Sequence, residues 1–111
     1  PPPTATSSAP ALGARINSIT LDGSTYVVNY ETFGYTEALP GQHVHFYWNN
    51  ITQEQAGVGP SAANWYVYGG PRPFRQATTA DRPGGVTAMC VLVANPDHTA
   101  VLNTGNCVNL P

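Results

Sequence analysis

The chain has 111 residues, room for one domain with a proper core and too little for two. Ten of them are charged, four Arg and six Asp or Glu with no Lys, for a formal net charge of -2, against eleven Gly and eleven Pro. This excludes a helical bundle or coiled coil, which draws on Ala, Glu, Lys, Leu and Arg, and a phosphate-tracking nucleic-acid binder, which needs clustered cations. An apolar content of 41% excludes disorder, and the expected class is all-β.

Residues 1–12 (PPPTATSSAPAL) form a Pro/Thr/Ser-rich linker or arm, extended and unable to build a core; an ordered strand lying on the sheet or on a neighbour is the alternative. Residues 13–111 are expected to form a β-sandwich domain. A first strand covers Arg15 to Leu21 and is closed by the Asp22-Gly23 hairpin turn. Thr25 to Phe33 follows, with Tyr26, Val28 and Tyr30 on one face. After the Leu39-Pro40-Gly41 turn, His43 to Asn49 alternates: Val44, Phe46 and Trp48 share one face, and His43, His45 and Tyr47 the other. Asn50 to Asn64 is a long polar connection with a helical turn over Thr52 to Ala56, and Trp65 to Tyr68 is a short aromatic strand.

Prolines at 71, 73 and 83 confine the next segment to an edge strand and loop. Val86 to Ala94 is apolar on both faces, as a central, doubly covered strand is. Asn95 to His98 is a turn, Thr99 to Asn103 returns, and Gly105 to Leu110 ends the domain. Seven to eight short strands with no long helix predict an immunoglobulin-like or Greek-key β-sandwich.

Cys90 and Cys107 have neither the spacing of a redox pair nor company enough for a zinc site, so a single structural disulfide is the economical reading, two buried free thiols the alternative. A disulfide implies an extracellular or cell-surface location and contributes on the order of 3 kcal/mol. A tight two-residue hairpin at Pro96-Asp97 would set Cys90 opposite residue 103, so the bridge needs a longer loop, a bulge near Gly105, or a last segment that leaves the ladder. The longest apolar run, Val86 to Ala94, is too short to span a membrane. Without an initiator Met or leader, the sequence reads as a mature form or excised domain.

The strings GQHVHFYWN, YGGPRPF, ADRPGG, MCVLVANPDH and GNCVNLP resemble a group of small extracytoplasmic β domains found at the C-terminal end of bacterial surface proteins and lipoproteins, behind Pro/Thr-rich stalks such as residues 1–10. The resemblance spans residues 15–111 and is sharpest in HVHFYW and VLVANPDH. It implies location and architecture, not chemistry.

Three sets of residues are candidates for function. Alternation places His43 and His45 on one strand face, about 7 Å apart at the backbone, from where both imidazoles can converge on one copper or zinc ion. His98 supplies a third ligand if its turn folds over that face; the plainer alternative is polar residues on a half-exposed surface. Trp65, Tyr66 and Tyr68, with Phe74 nearby, could stack on a sugar ring, or else serve as core and edge cover. Asn50-Ile51-Thr52 is an N-glycosylation sequon on an expected loop.

Catalysis is not expected. Asp97 and His98 are neighbours in one turn and cannot form the base–orienter geometry of a triad, and the six carboxylates lie near turns and strand ends. A weakly charged, Gly/Pro-rich exterior packs against copies of itself with little repulsion. The leading expectation is a non-enzymatic structural or adhesive surface module, a filament or surface-layer block self-assembling as a homo-oligomer through the N-terminal arm. The alternatives are a copper- or zinc-binding module and a carbohydrate-binding module with a surface glycan as partner. No other cofactor is expected.

Overall fold

Strand alternation and turn residues build two sheets, and a computed structural model describes residues 12–57 and 64–111. Strands β1 (Gly13–Asp22) and β2 (Thr25–Phe33) form an antiparallel hairpin closed by Gly23-Ser24, where Gly23 takes the positive φ of 63° that the turn requires. The second sheet contains β3 (His43–Trp48), β4 (Trp65–Tyr68), β5 (Ala88–Ala94), β6 (Ala100–Val101) and β7 (Cys107–Asn109). Its order is β4-β3-β5, with β6 and β7 sharing the far edge of β5. The described residues are thus all-β, with seven strands and one 3-10 turn at Thr79–Asp81. None of their helices is long and apolar enough to cross a membrane.

The hairpin lies over one face of the larger sheet. Ile16, Ile19, Tyr26, Val28 and Tyr30 meet Val44, Phe46, Trp48, Met89, Val91 and Val93 in the main core. Phe74 completes it, stacked on Phe46 at 4.1 Å between ring centroids, while Tyr30 meets Phe46 edge-on at 5.0 Å. The proline-flanked segment expected as an edge strand makes only two isolated bridges to β2, at Val28↔Phe74 and Thr25↔Thr78. Its Arg72-Pro73 bond is cis, and prolines at 71 and 73 supply no N–H for a longer ladder. Arg72 lies over the Tyr30 ring at 4.2 Å and pairs with Glu37 at 2.6 Å. Leu12, expected in the arm, packs against the core; the rest of the arm, and the assembly expected through it, lies outside the described residues.

Strand β5 is buried along its whole length, which explains why both its faces are apolar. Of the two segments expected on its far edge, Thr99 to Asn103 pairs as β6 over Ala100–Val101 and Gly105 to Leu110 as β7 over Cys107–Asn109. The β5–β6 register pairs Ala94 with Ala100, whereas the β5–β7 register pairs Cys90 with Cys107, so three extra residues loop out between the two. The disulfide closes across this second register. A Cβ on Gly105 would overlap the carbonyl of Val91, so the excursion passes closest to β5 where the chain has no side chain, as the bulge expected there requires. The excursion also fastens the two sheets together. Asn106 accepts a hydrogen bond from Ile16 N–H through Oδ1 at 2.7 Å and donates from Nδ2 to the Ile16 carbonyl at 3.0 Å. These bonds fall at the point where β1 bulges between Ile16 and Ser18.

Candidate metal centre

The outer face of the larger sheet carries a second, smaller cluster: Tyr47, Ala56, Trp65, Cys90, Leu92 and Ala94. Beside it, on the same face of β3, stand His43 and His45, both 0% exposed. Period-two alternation sets them there, and two neighbouring segments cover them. One is the connection after β3, whose turn over Thr52 to Gly57 is held by Gln55 N–H bonding Thr52 O at 3.1 Å and Ala56 N–H bonding Gln53 O at 3.1 Å. The other is the β5–β6 hairpin.

That hairpin delivers His98. Asn95 N–H bonds Thr99 O at 2.9 Å, leaving Pro96-Asp97-His98 as a three-residue loop, and His98 N–H bonds back to Asn95 O at 2.8 Å. The Asp97 carboxylate accepts from Thr99 N–H at 3.1 Å and Thr99 Oγ1 at 2.6 Å, bonds that hold its carboxyl below the usual range. The loop's last residue must adopt a left-handed backbone, a position suited to Gly or Asn; here it is His98, with φ of 71°. The left-handed conformation of an L-residue costs about 1–2 kcal/mol. Gly57 admits this turn: a Cβ there would overlap the His98 carbonyl and lie 3.4 Å from His45 Cε1.

The three imidazoles converge, with donor atoms all within 4.8 Å of one another. His43 Nε2 lies 3.0 Å from His45 Nε2 and 3.2 Å from His98 Nδ1. Behind them His43 Nδ1 meets the Gly41 carbonyl at 2.8 Å, and His45 Nδ1 meets the Ala56 carbonyl at 2.9 Å. Carbonyl oxygens only accept, so each Nδ1 carries the ring proton and each Nε2 presents a lone pair. The one proton His98 brings can satisfy His43 Nε2 alone. Four short contacts are thus served by three N–H groups, and the lone pairs of His43 and His45 face each other until a cation comes between them.

Either a proton or a metal ion would separate them, and burial disfavours the proton. Desolvation pushes the His43 imidazole below its ordinary value, and pushes His45 down to about 4; in both cases this outweighs a carbonyl partner that raises it. Metal–nitrogen bonds of ~2.0–2.1 Å place neighbouring ligand nitrogens about 2.9 Å apart at a right angle and about 3.3 Å apart at a tetrahedral one, which brackets both contacts of His43. The carbonyls at the back of His43 and His45 are the outer partners that fix tautomer and ring orientation in metal-binding histidines. Trp65 walls the site, its ring 4.6 Å from that of His45.

The structure therefore assembles the expected His43, His45 and His98 set, and it corrects the aromatic one. Trp65 and Tyr66 point to opposite faces of β4 and are buried to 5% and 9% exposure, and Tyr68, half-buried, packs against the main core with its hydroxyl on Pro71 O. They do not form an exposed stacking platform, because alternation divides them between two clusters. Asn50 is exposed, its amide bonding Asn64 Oδ1 at 3.3 Å. Sequence reasoning missed Gly41, Ala56 and Gly57, which act through backbone atoms or lack of a side chain; the one local signal was Gly41 standing two residues before His43 in a Pro-Gly turn. No family model, curated protein or solved structure matches the chain.

Proposed function

We propose that the protein is an extracytoplasmic module that binds one copper or zinc ion through His43 Nε2, His45 Nε2 and His98 Nδ1. The observation that carries this reading is the buried imidazole cluster in which four short contacts share three protons. A metal ion between the facing lone pairs resolves that shortfall without charging a buried imidazole. The strain at His98 supports it too, since a ligand is a reason for a residue with a Cβ to hold a place suited to glycine. The Cys90–Cys107 bridge supports the compartment. The two layers, with β3 and β5 central, are read as a reduced immunoglobulin-like sandwich serving as a rigid base for the site. Metal binding is the leading function because three imidazoles meet in one largely buried cluster.

Calorimetric titration and thermal melting with Cu(II) and Zn(II) test the proposal. The expected result is one ion per chain and a raised melting temperature, with stabilisation of about 2.7 kcal/mol at a hundredfold excess over Kd. Because His98 is the least buried ligand, His98→Ala is the variant that keeps the fold while losing affinity. Absence of heat and of any melting shift with either metal would reject the reading.

A further inference from the structure

The three contacts of the cluster are unequal. His43 Nε2 approaches both partners, at 3.0 and 3.2 Å, while His45 and His98 meet His43 and not each other at hydrogen-bonding range. The rings repeat this pattern: His45 and His98 lie 5.7 Å apart with planes within 17° of parallel, and His43 stands across both at 52° and 67°. A tetrahedral ion holds its three nitrogens at equal spacing. A tetragonal ion has one ligand at right angles to two that oppose each other, giving two short separations and one long. Tetragonal coordination by nitrogen is the preference of Cu(II), which also stands above Zn(II) in affinity for a given set of nitrogen donors.

The described residues offer this cluster no further ligand. The chain has three histidines, and both cysteines are in the disulfide. Its one methionine, Met89, lies in the core on the opposite face of the sheet. The carboxylates whose charge bears on the cluster are already engaged, Glu37 with Arg72 at 2.6 Å and Tyr30 at 3.3 Å, and Asp97 with Thr99. Three neutral imidazoles leave the full double positive charge of the ion uncompensated.

Resting on the metal-binding reading, we infer that the ion is Cu(II), with His43 in plane between the opposed His45 and His98, and that its remaining in-plane position exchanges solvent water for a small anion. In that exchange a lone pair of the anion replaces that of the departing water, and no electron changes hands. The inference deepens the proposed function by naming the metal and the chemical class of its external ligand.

Azide is the probe, added to the full chain loaded with one equivalent of Cu(II). Electron paramagnetic resonance is expected to show an axial signal with nitrogen coupling from three imidazoles. Equal Zn(II) does not displace the copper. Azide adds a charge-transfer absorption that saturates at one anion per copper, and Trp65 fluorescence is quenched on copper loading. His98→Ala removes one of the three nitrogen couplings and weakens copper binding about 100-fold or more, at least the effect of losing an outer partner. Displacement by equal Zn(II), a signal without three nitrogens, or a copper spectrum indifferent to azide would overturn the inference while leaving metal binding in place. Failure of both metals to bind would instead overturn the proposed function beneath it.

Discussion

On the inner face of β3, Val44, Phe46 and Trp48 give up water for other apolar side chains; on the outer face His43 and His45 give it up for two carbonyls, a turn and each other. Both sets are buried, yet they tolerate change differently. Apolar packing is non-directional and spread over many neighbours, so the inner face derives its stability from volume filled. The imidazoles are directional, and a single missing proton leaves the whole group short. The inner face therefore holds the protein together, and the outer face stores an unmet demand for charge.

Breaking the inner face has the largest expected effect. Phe74→Ala removes a 0%-exposed ring stacked on Phe46 and is expected to cost about 3–5 kcal/mol in denaturant unfolding, while the protein that remains folded keeps its one-ion stoichiometry. If that variant lost metal binding while still folded, the two faces would not be independent in the way their separate packing implies.

Titrating the outer face comes next. In the metal-free protein, His45 is uncharged in both folded and unfolded states at neutral pH. Below its ordinary value of 6.5 the unfolded chain takes up a proton that the folded protein refuses until about 4. Protons thus favour unfolding, and stability falls as pH drops through that window. The loss is about 2 kcal/mol after allowance for solvent screening, and His43, shifted in the same direction, adds to it. Urea melts at a series of pH values from 7 to 4 measure this slope, and a flat profile would show that the imidazoles are hydrated rather than sealed.

The smallest effect separates strain from function most cleanly. His98→Gly relieves about 1–2 kcal/mol of left-handed backbone strain, but it loosens the unfolded chain by about 0.5–1 kcal/mol and removes the N–H that satisfies His43 Nε2, worth about 1 kcal/mol, so apo stability changes by less than about 1 kcal/mol. The same substitution removes a proposed ligand, so copper affinity falls while urea melts of the apo protein barely move. An apo stability lower by more than about 2 kcal/mol would mark the His98 ring as packing instead.

Much of this was legible from local pattern. Alternation along HVHFYW divides β3 correctly between its two faces, Gly23 marks the first hairpin to within one residue of its Gly23-Ser24 turn, and the mismatch between the two cysteines calls for an irregularity that falls at Gly105. The aromatic residues of β4 were harder to read. Trp65, Tyr66 and Tyr68 look alike as a surface platform, and what buries them lies outside their own strand: Phe74 against Tyr66 and Tyr68, and Ala56, Cys90 and Leu92 in the cluster that holds Trp65. Asn106 is a similar case: an amide side chain takes the place of a neighbouring strand's backbone for Ile16, ninety residues away, and no local signal marks it.

The sequence by itself determined the class, the strand faces and the pairing of His43 with His45, because these follow from a two-residue period and from where Gly and Pro interrupt it. Whether His98 joined them was a tertiary decision, since it depended on the β5–β6 hairpin folding over the outer face and on Gly57 leaving space for it. The carbonyls of Gly41 and Ala56, which turn both Nε2 lone pairs inward, belong to loops whose path is set only when the sheets pack. Periodicity brings two imidazoles to one face, but hydrogen-bond partners in three dimensions decide which nitrogen is left free to bind.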